Sequence, residues 1–393
     1  MAKKKVLLAV CGSISFYKAF DLLSVLKKDE NFDVYVMLSE GALKFVNYKA
    51  FEALCDHPVL CSKTENWQEG INHIEYSKMD IVIIAPASVN TINKLAWGVC
   101  DNVFMQTLIA TSAPLVIAPA ANPGMLENPI TKSCIDILKN TTKSIFVEPA
   151  VKKLACGDIG AGGLADSQSI ILAAKRALFE DKFYANKMVV VTGGPTIEKI
   201  DSVRGITNFS SGKFSKAIAD AFYLLGANVT LISSIDYTNL PYKFVKFESS
   251  IGLKSALDAT KFKSNSILIM AAAVSDYTPK VRYKDKVRKS EMGDIWNLRL
   301  GVNDDILSSI NATGLKKIGF KLESDKETAL EEAKHMLINK NLNAVCLNVF
   351  DDNVKFGSDV TQITYITKDD TQTIKLAPKG EVAMQLAKLI KKL

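Results

Sequence analysis

Few side chains in this 393-residue chain can do acid–base, thiol or metal chemistry. There are three histidines, His57, His73 and His335, and seven cysteines, Cys11, Cys55, Cys61, Cys100, Cys134, Cys156 and Cys346. The cysteines are scattered, odd in number and lack a Cys-x-x-Cys, so neither a disulfide framework nor a structural zinc site is expected. The histidines form no metal motif, no metal ligands are assigned, and any His or Cys that works must do so singly. The compartment reads as reducing, hence cytoplasmic. Cys156 is set in Ala-Cys-Gly-Asp-Ile-Gly-Ala-Gly-Gly at 155–163, a stretch expected to be a mobile flap carrying one thiol. A lone cysteine can equally be an inert buried side chain.

Other candidates sit where an apolar run gives way to small polar residues. Cys11-Gly12-Ser13-Ile14 follows the first such run, where Gly12 permits either close approach to a phosphate or a plain tight turn. The second run ends in Leu38-Ser39, with no acidic residue to hold an adenosine ribose, and Gly-x-Gly-x-x-Gly is absent. NAD is therefore disfavoured, and a mononucleotide such as FMN stays open. Ser88 and Asn90 lie in Ala-Pro-Ala-Ser-Val-Asn-Thr at 85–91, and Asn122 in Ala-Pro-Ala-Ala-Asn-Pro-Gly-Met at 118–125. These residues could cap helices or bind a ribityl chain or phosphate.

In the second half, Gly193-Gly194-Pro195-Thr196 could cradle a phosphate. Gly205–Lys213 superficially suggests a P-loop but fails its spacing, although Ser210-Ser211-Gly212 can bind an anion where it opens a helix. Asp276, after another apolar run, could take a ribose hydroxyl or a hydrated metal. Just beyond it lie Lys280, Arg282, Lys284, Lys286, Arg288 and Lys289, broken only by Asp285. The chain carries a net charge of +7, and residues 1–186 are balanced, so the whole excess falls in the second half. The basic cluster reads as a solvated loop or as a site for a polyanionic small molecule. Nucleic acid is disfavoured because the cluster is local and poor in aromatic platforms.

The elements that must position these residues alternate between strand and helix. Val6–Val10, Val34–Leu38, Ile81–Ala85, Leu115–Ala118 and Ile145–Val147 read as buried strands, with helices at Phe16–Lys28, Thr91–Trp97 and Ser167–Phe179. After a charged boundary at Glu180–Lys187 the pattern restarts. Strands are expected at Met188–Thr192, Val229–Ile232, Phe244–Phe247, Ile267–Ala272, Ile318–Leu322 and Ala344–Leu347, with a late hairpin about Asp369-Asp370. The fold class is α/β, with two doubly wound domains at 1–183 and 184–393. The longest apolar runs, such as Ile267–Val274, are too short to span a bilayer, and the start reads as no signal peptide.

Taken together and in order, these segments resemble the bifunctional phosphopantothenoylcysteine decarboxylase/phosphopantothenate–cysteine ligase family of coenzyme A synthesis. The specific elements are His73 in Asn-His-Ile-Glu, the Pro-Ala-Ala-Asn loop at 119–122, Cys-Gly-Asp-Ile-Gly at 156–160, Asp-x-Val-Arg-x-Ile-Thr-Asn-x-Ser-Ser-Gly-Lys at 201–213, and Lys286-Val287-Arg288-Lys289. The resemblance implies a flavodoxin-like FMN domain followed by a Rossmann-like nucleotide domain. Gly12, Ser13, Ser39, Ser88 and Asn90 would line the flavin with Asp101 near it. His73 and Asn122 would serve decarboxylation, and Cys156 would be the proton donor of the reductive half. In the ligase, Lys286 would act in forming an acyl-cytidylate and Asn208 on that intermediate. Asp276, Lys286, Lys289 and Phe320 would contact CTP, whose pyrophosphate needs Mg²⁺. Arg204 lies in the family's dimer-forming segment, and dimeric ligase and trimeric flavin contacts would build a homo-oligomer.

Three positions depart from the family pattern: Ala121 for methionine, Ser215 for glycine, and Lys321 for a small residue. The rival readings are a flavin-dependent reductase with a regulatory nucleotide domain, and a non-catalytic nucleotide-sensing scaffold. Neither accounts for Cys156.

Overall fold

Lys4–Val10 (β1), Phe32–Leu38 (β2), Ile81–Ala87 (β3), Leu115–Pro119 (β4) and Ser144–Phe146 (β5) form one sheet in the order β2-β1-β3-β4-β5, every pair parallel. The computed structural model describes residues 3–66, 68, 72–153, 159–238, 240–325, 327–349 and 357–393, and divides into two units, Met1–Phe179 and Glu180–Leu393. Parallel strands joined by helices are covered on both faces, so their sequences run apolar without alternation. The pleat then sorts β1 between two cores. Val6, Leu8 and Val10 pack with Leu22, Leu23 and Leu26 of helix Lys18–Lys28 and with Ile170 of helix Ser167–Phe179. Leu7 and Ala9 pack with Ile92 of helix Val89–Ala96, Leu108 of helix Val103–Ala110 and Leu138 of helix Pro129–Thr141. The winding is flavodoxin-like, and it opens a crevice at the carboxyl ends of β1 and β3, where the strand order reverses.

The first unit also holds a hairpin, Ala150–Lys153 (β6) with Ile159–Gly163 (β7), paired antiparallel. Part of the stretch expected to be a glycine-rich flap is therefore a strand. Helix Lys18–Lys28 begins later than expected because Ile14–Tyr17 forms a 3₁₀ turn, capped by the Ser13 hydroxyl.

The second unit carries Met188–Gly193 (β8), Ile197–Lys199 (β9), Gly205–Thr207 (β10), Asn228–Ser233 (β11), Lys243–Lys246 (β12), Ile267–Met270 (β13), Tyr277–Pro279 (β14), Leu300–Val302 (β15), Lys316–Glu323 (β16), Ala344–Val349 (β17), Val360–Ile366 (β18) and Thr371–Pro378 (β19). Its main sheet runs β12-β11-β8-β13-β16-β17-β18-β19. The first six strands are parallel in the Rossmann order 3-2-1-4-5-6, and β18 and β19 extend the edge antiparallel. β13 stops two residues short of expectation, because the Thr192 hydroxyl accepts the Ala272 amide (3.1 Å). One face packs on helices Lys213–Leu224 and Lys379–Ile390, the other on Ser250–Asp258 and Ala329–Asn339. Tyr184 closes the first of these cores, its buried hydroxyl donating to the Ala387 carbonyl (2.5 Å). Two small antiparallel pairs, β9 with β10 and β14 with β15, stand outside the sheet. Among the described residues no helix is long and apolar enough to cross a membrane.

Candidate active sites

In the first unit, loops leaving β1, β2, β3 and β4 enclose a cleft of about 910 Å³ at the crevice. Gly12, Ser13, Ser39, Ser88, Asn90 and Asn122 all line it. Their side chains are held by the local backbone. Ser13 Oγ donates to the Ala120 carbonyl (3.0 Å) and accepts the Ser15 amide (3.3 Å). Ser39 and Ser88 cap the helices that follow them, accepting the Ala42 and Thr91 amides at 3.2 and 3.3 Å. Asn122 Oδ1 accepts the Gly124 amide (2.9 Å), which fixes how the carboxamide is turned. Gly12 approaches the neighbouring loop backbone to backbone, and a Cβ there would lie 2.6 Å from the Gly41 carbonyl carbon.

The cleft wall also contains the cations Lys44, Lys94 and Lys152 against one carboxylate, Glu40, and an apolar stretch of Ile14, Val89, Phe104 and Met105. Hydroxyls and cations suit a phosphate, and the apolar stretch suits a planar ring, so these residues fit a flavin mononucleotide. Asp101 is not in the wall. Its carboxylate pairs with Lys94, which is, and that hydrogen bond holds it below the usual carboxylate range. His73 is half-buried on the short helix Asn72–Ser77, which packs on the helix presenting Phe104 and Met105, and it too stands outside the wall. Cys156 lies outside the described residues.

Sequence reasoning missed Lys152. Burial lowers its ammonium from the ordinary range, and the neighbouring Lys18 lowers it further. Its stem runs where a Gly163 side chain would lie, 2.2 Å from a Cβ at that position. The alternation of β6 against a glycine-rich partner was the available signal. Cys11, beneath the first loop, is fully buried, and burial pushes its thiol up.

In the second unit, Gly212, with φ of 68°, opens helix Lys213–Leu224. A cleft of about 220 Å³ forms between Ser210, Ser211, Gly212 and Lys213 on one side and Phe320 and Lys321 on the other. Phe320 meets Phe214 edge-on at 5.9 Å. The departures are accommodated here. Ser215 is buried over Gly193, where a Cβ would lie 1.9 Å from the Ser215 hydroxyl, and it donates to the Gly212 carbonyl (2.7 Å). Lys321 pairs with Glu323 (2.8 Å). In the first unit, Ala121 lines the cleft beside Asn122.

Asn208 Nδ2 donates to the Val274 carbonyl (3.0 Å), which sets it against the loop carrying the exposed Asp276. Lys286 and Lys289 line a different, open cleft of about 1070 Å³ with Arg204 and Arg288. Not every cation of the basic cluster faces solvent alone, for Arg282 pairs with the buried Glu198 (3.3 Å). Among the described residues no group of three His, Cys, Asp or Glu side chains is placed to hold a metal.

This combination defines a flavoprotein of the α/β class joined to a second α/β unit of Rossmann strand order. Residues 1–178 match the family model described as Flavoprotein, and residues 184–393 match the DNA/pantothenate metabolism flavoprotein C-terminal domain. The chain belongs to the family of coenzyme A biosynthesis bifunctional proteins, and so is a flavin-binding enzyme that joins two activities of that pathway. It is 34% identical over 404 residues to the coenzyme A biosynthesis bifunctional protein CoaBC of Bacillus subtilis, covering 99% of this chain and 98% of that protein. It is 32% identical over 398 residues to the CoaBC protein of Vibrio cholerae, covering 99% and 98%. The solved C-terminal domain of a coenzyme A biosynthesis bifunctional protein CoaBC matches with 29% identity and a TM-score of 0.43, over 54% of this chain and 97% of that one.

Proposed function

We propose that the second unit condenses 4′-phosphopantothenate with cysteine, using CTP and passing through an acyl-cytidylate. The first unit then decarboxylates phosphopantothenoylcysteine to 4′-phosphopantetheine with FMN. The observation that carries this reading is the convergence of Gly12, Ser13, Ser39, Ser88, Asn90 and Asn122 on one cleft at the reversal of the flavodoxin-like sheet. Simple loss of CO₂ from a cysteine amide would leave an unstabilised carbanion. FMN, when held in this cleft, would take two electrons from the thiol-bearing carbon, so that the resulting C=S is the electron sink, and would return them to the product.

The chain does the rest. Ser13, Ser39, Ser88, Asn90 and the Gly12 backbone hold the cofactor. Asn122, oriented by its bond to the Gly124 amide, presents amide hydrogens to the substrate carboxylate without adding a charge, which suits a group that leaves as neutral CO₂. His73 exchanges a proton with the substrate or polarises it. Cys156 gives a proton to the enethiol carbon as the product is reduced.

In the ligase, Lys286 and Lys289 would take the phosphates of CTP, and Mg²⁺ carried on those phosphate oxygens would neutralise the charge of the leaving pyrophosphate. Phe320 and Asp276 contact the nucleotide, and Asn208 acts on the acyl-cytidylate. Arg204 belongs to a dimer-forming segment, the chain works as a homo-oligomer in the cytoplasm, and its partners are these small molecules.

The test is direct. Purified protein given 4′-phosphopantothenate, cysteine, CTP and Mg²⁺ should be yellow, release CO₂ and yield 4′-phosphopantetheine without NAD(P)H. A requirement for NAD(P)H would overturn the decarboxylase reading, and a preference for ATP would overturn the nucleotide assignment.

A further inference from the structure

Asp201 has a side chain with no exposed surface, yet it belongs to neither cleft wall. Oδ1 accepts the amides of Val203 and Arg204, both at 2.8 Å. Oδ2 accepts Arg204 Nε (2.9 Å), a terminal Arg204 nitrogen (2.6 Å) and the Val287 amide (3.2 Å). The same guanidinium donates to the Val287 carbonyl (2.6 Å) and lies over the Trp296 ring at 4.8 Å. One ion pair therefore grips both backbone polar groups of a residue far along the chain.

That residue sits between Lys286 and Arg288. Residues 282–288 belong to no helix or strand, so no ladder fixes them. What does fix them is the turn at 200–204: the Tyr283 amide donates to the Ile200 carbonyl (2.9 Å), and Val287 is seated on the Asp201–Arg204 pair with its side chain buried. Lys286 is exposed immediately before this anchor. Burying a carboxylate is costly unless its hydrogen bonds are met. Here the penalty of burial is outweighed by three amides and a guanidinium, which hold the Asp201 carboxyl well below the usual carboxylate range.

The geometry points to Asp201 as a positioning residue of the ligase, which sets the place of Lys286 through the peptide of Val287. This rests on the reading of Lys286 given above. Lysine is a point charge on a flexible stem, so its backbone origin decides where the ammonium can reach. Misplacement by about 1 Å is enough to cost roughly 100-fold in a reaction that depends on alignment.

The experiment measures pyrophosphate release from CTP with 4′-phosphopantothenate, cysteine omitted, on the full chain carrying Asp201→Asn, Lys286→Gln or both. Decarboxylation of phosphopantothenoylcysteine by the same preparations reports that the first unit is intact. Asp201→Asn should lower the single-turnover rate of pyrophosphate release by roughly 10- to 100-fold and shift the CTP concentration that half-saturates it much less. In the Lys286→Gln background it should have no further effect, because the residue acts only through that lysine. A merely structural role would give additive losses, which overturns the proposal. Should Asp201→Asn fail to fold, Arg204→Lys carries the same test, since lysine cannot bridge Asp201 and the Val287 carbonyl at once. A slow Lys286→Gln beside a normal Asp201→Asn overturns the positioning role alone. A normal Lys286→Gln overturns the ligase reading of Lys286 and this proposal with it.

Discussion

Replacing Gly12 by alanine puts a methyl carbon 2.6 Å from the Gly41 carbonyl carbon and 2.7 Å from its Cα and carbonyl oxygen. Carbon atoms in contact sit about 3.5–4.0 Å apart, so the overlap is about 1 Å. Both sides of the clash are backbone, and no side-chain rotation relieves it. The loops after β1 and β2 must part, and overpacking of this kind costs about 1–3 kcal/mol, here toward the upper end. For a unit of this size that lowers the melting temperature by roughly 6–12 °C. If the same displacement is carried to the flavin phosphate, about 3 kcal/mol weakens FMN binding by roughly 150-fold. The assay is a fluorescence titration of the apoprotein with FMN, beside Gly41→Ala as a graded control. A Cβ on Gly41 would meet Gly12 Cα at 3.2 Å, which needs only a few tenths of an ångström of yielding, so its loss should stay below about tenfold. Wild-type FMN affinity in Gly12→Ala, or a larger loss in Gly41→Ala, would refute the backbone-approach argument.

Other substitutions separate the two units and the two half-reactions. Tyr184→Phe removes one of two donors to the Ala387 carbonyl, which keeps the Lys391 amide (3.0 Å), so the second unit should lose about 0.5–1.5 kcal/mol in denaturant unfolding while FMN binding is unchanged. Asn208→Asp removes the donor to the Val274 carbonyl and sets a carboxylate against it, so pyrophosphate release should persist while cysteine-dependent product formation falls by at least about tenfold. Cys156→Ser should still release CO₂ but accumulate the unsaturated thiol, seen by mass spectrometry of the products under anaerobic conditions. His73→Asn should give no CO₂, and ligase activity should survive both changes.

Both main sheets were legible because their central parallel strands are buried on two faces and therefore read as unbroken apolar runs. Val6–Val10 and Ile81–Ala85 are of this kind, as are Val189–Val191 in β8. The β9–β10 and β14–β15 pairs were not legible. Each strand is three residues long, and they leave Ile197, Leu300 and Val302 exposed, so neither periodicity nor burial marks them. That Gly12, Ser13, Ser39, Ser88, Asn90 and Asn122 share one cleft was legible because topology places the loops of an open sheet at one end, and only their polar residues need be read. Asp101, expected near the flavin, lies outside the cleft wall and pairs with Lys94 of that wall, a contact that no sequence pattern reveals. Glu198 and Asp201 were invisible for a different reason. A buried acid and an exposed acid are the same letter, and only the amides gathered around it distinguish them.

Two arginines of the second unit are spent on its own buried acids. Arg204 and Arg282, whose forked guanidinium groups can bind carboxylates with several hydrogens, are paired with the buried Asp201 and Glu198. They bind the 280–288 segment to the body of the unit, Arg204 at the Val287 carbonyl and Arg282 beside Thr278 (3.1 Å). Lys286 and Lys289 remain exposed, as compact charges on long stems. Within the run, Arg282 is thus tied to the body of the unit, while Lys286, Arg288 and Lys289 stay exposed around the open cleft. On the proposed reading of Lys286, polyphosphate recognition would need a lysine both mobile at the tip and fixed at the root, and the buried Asp201 holds that root through Val287.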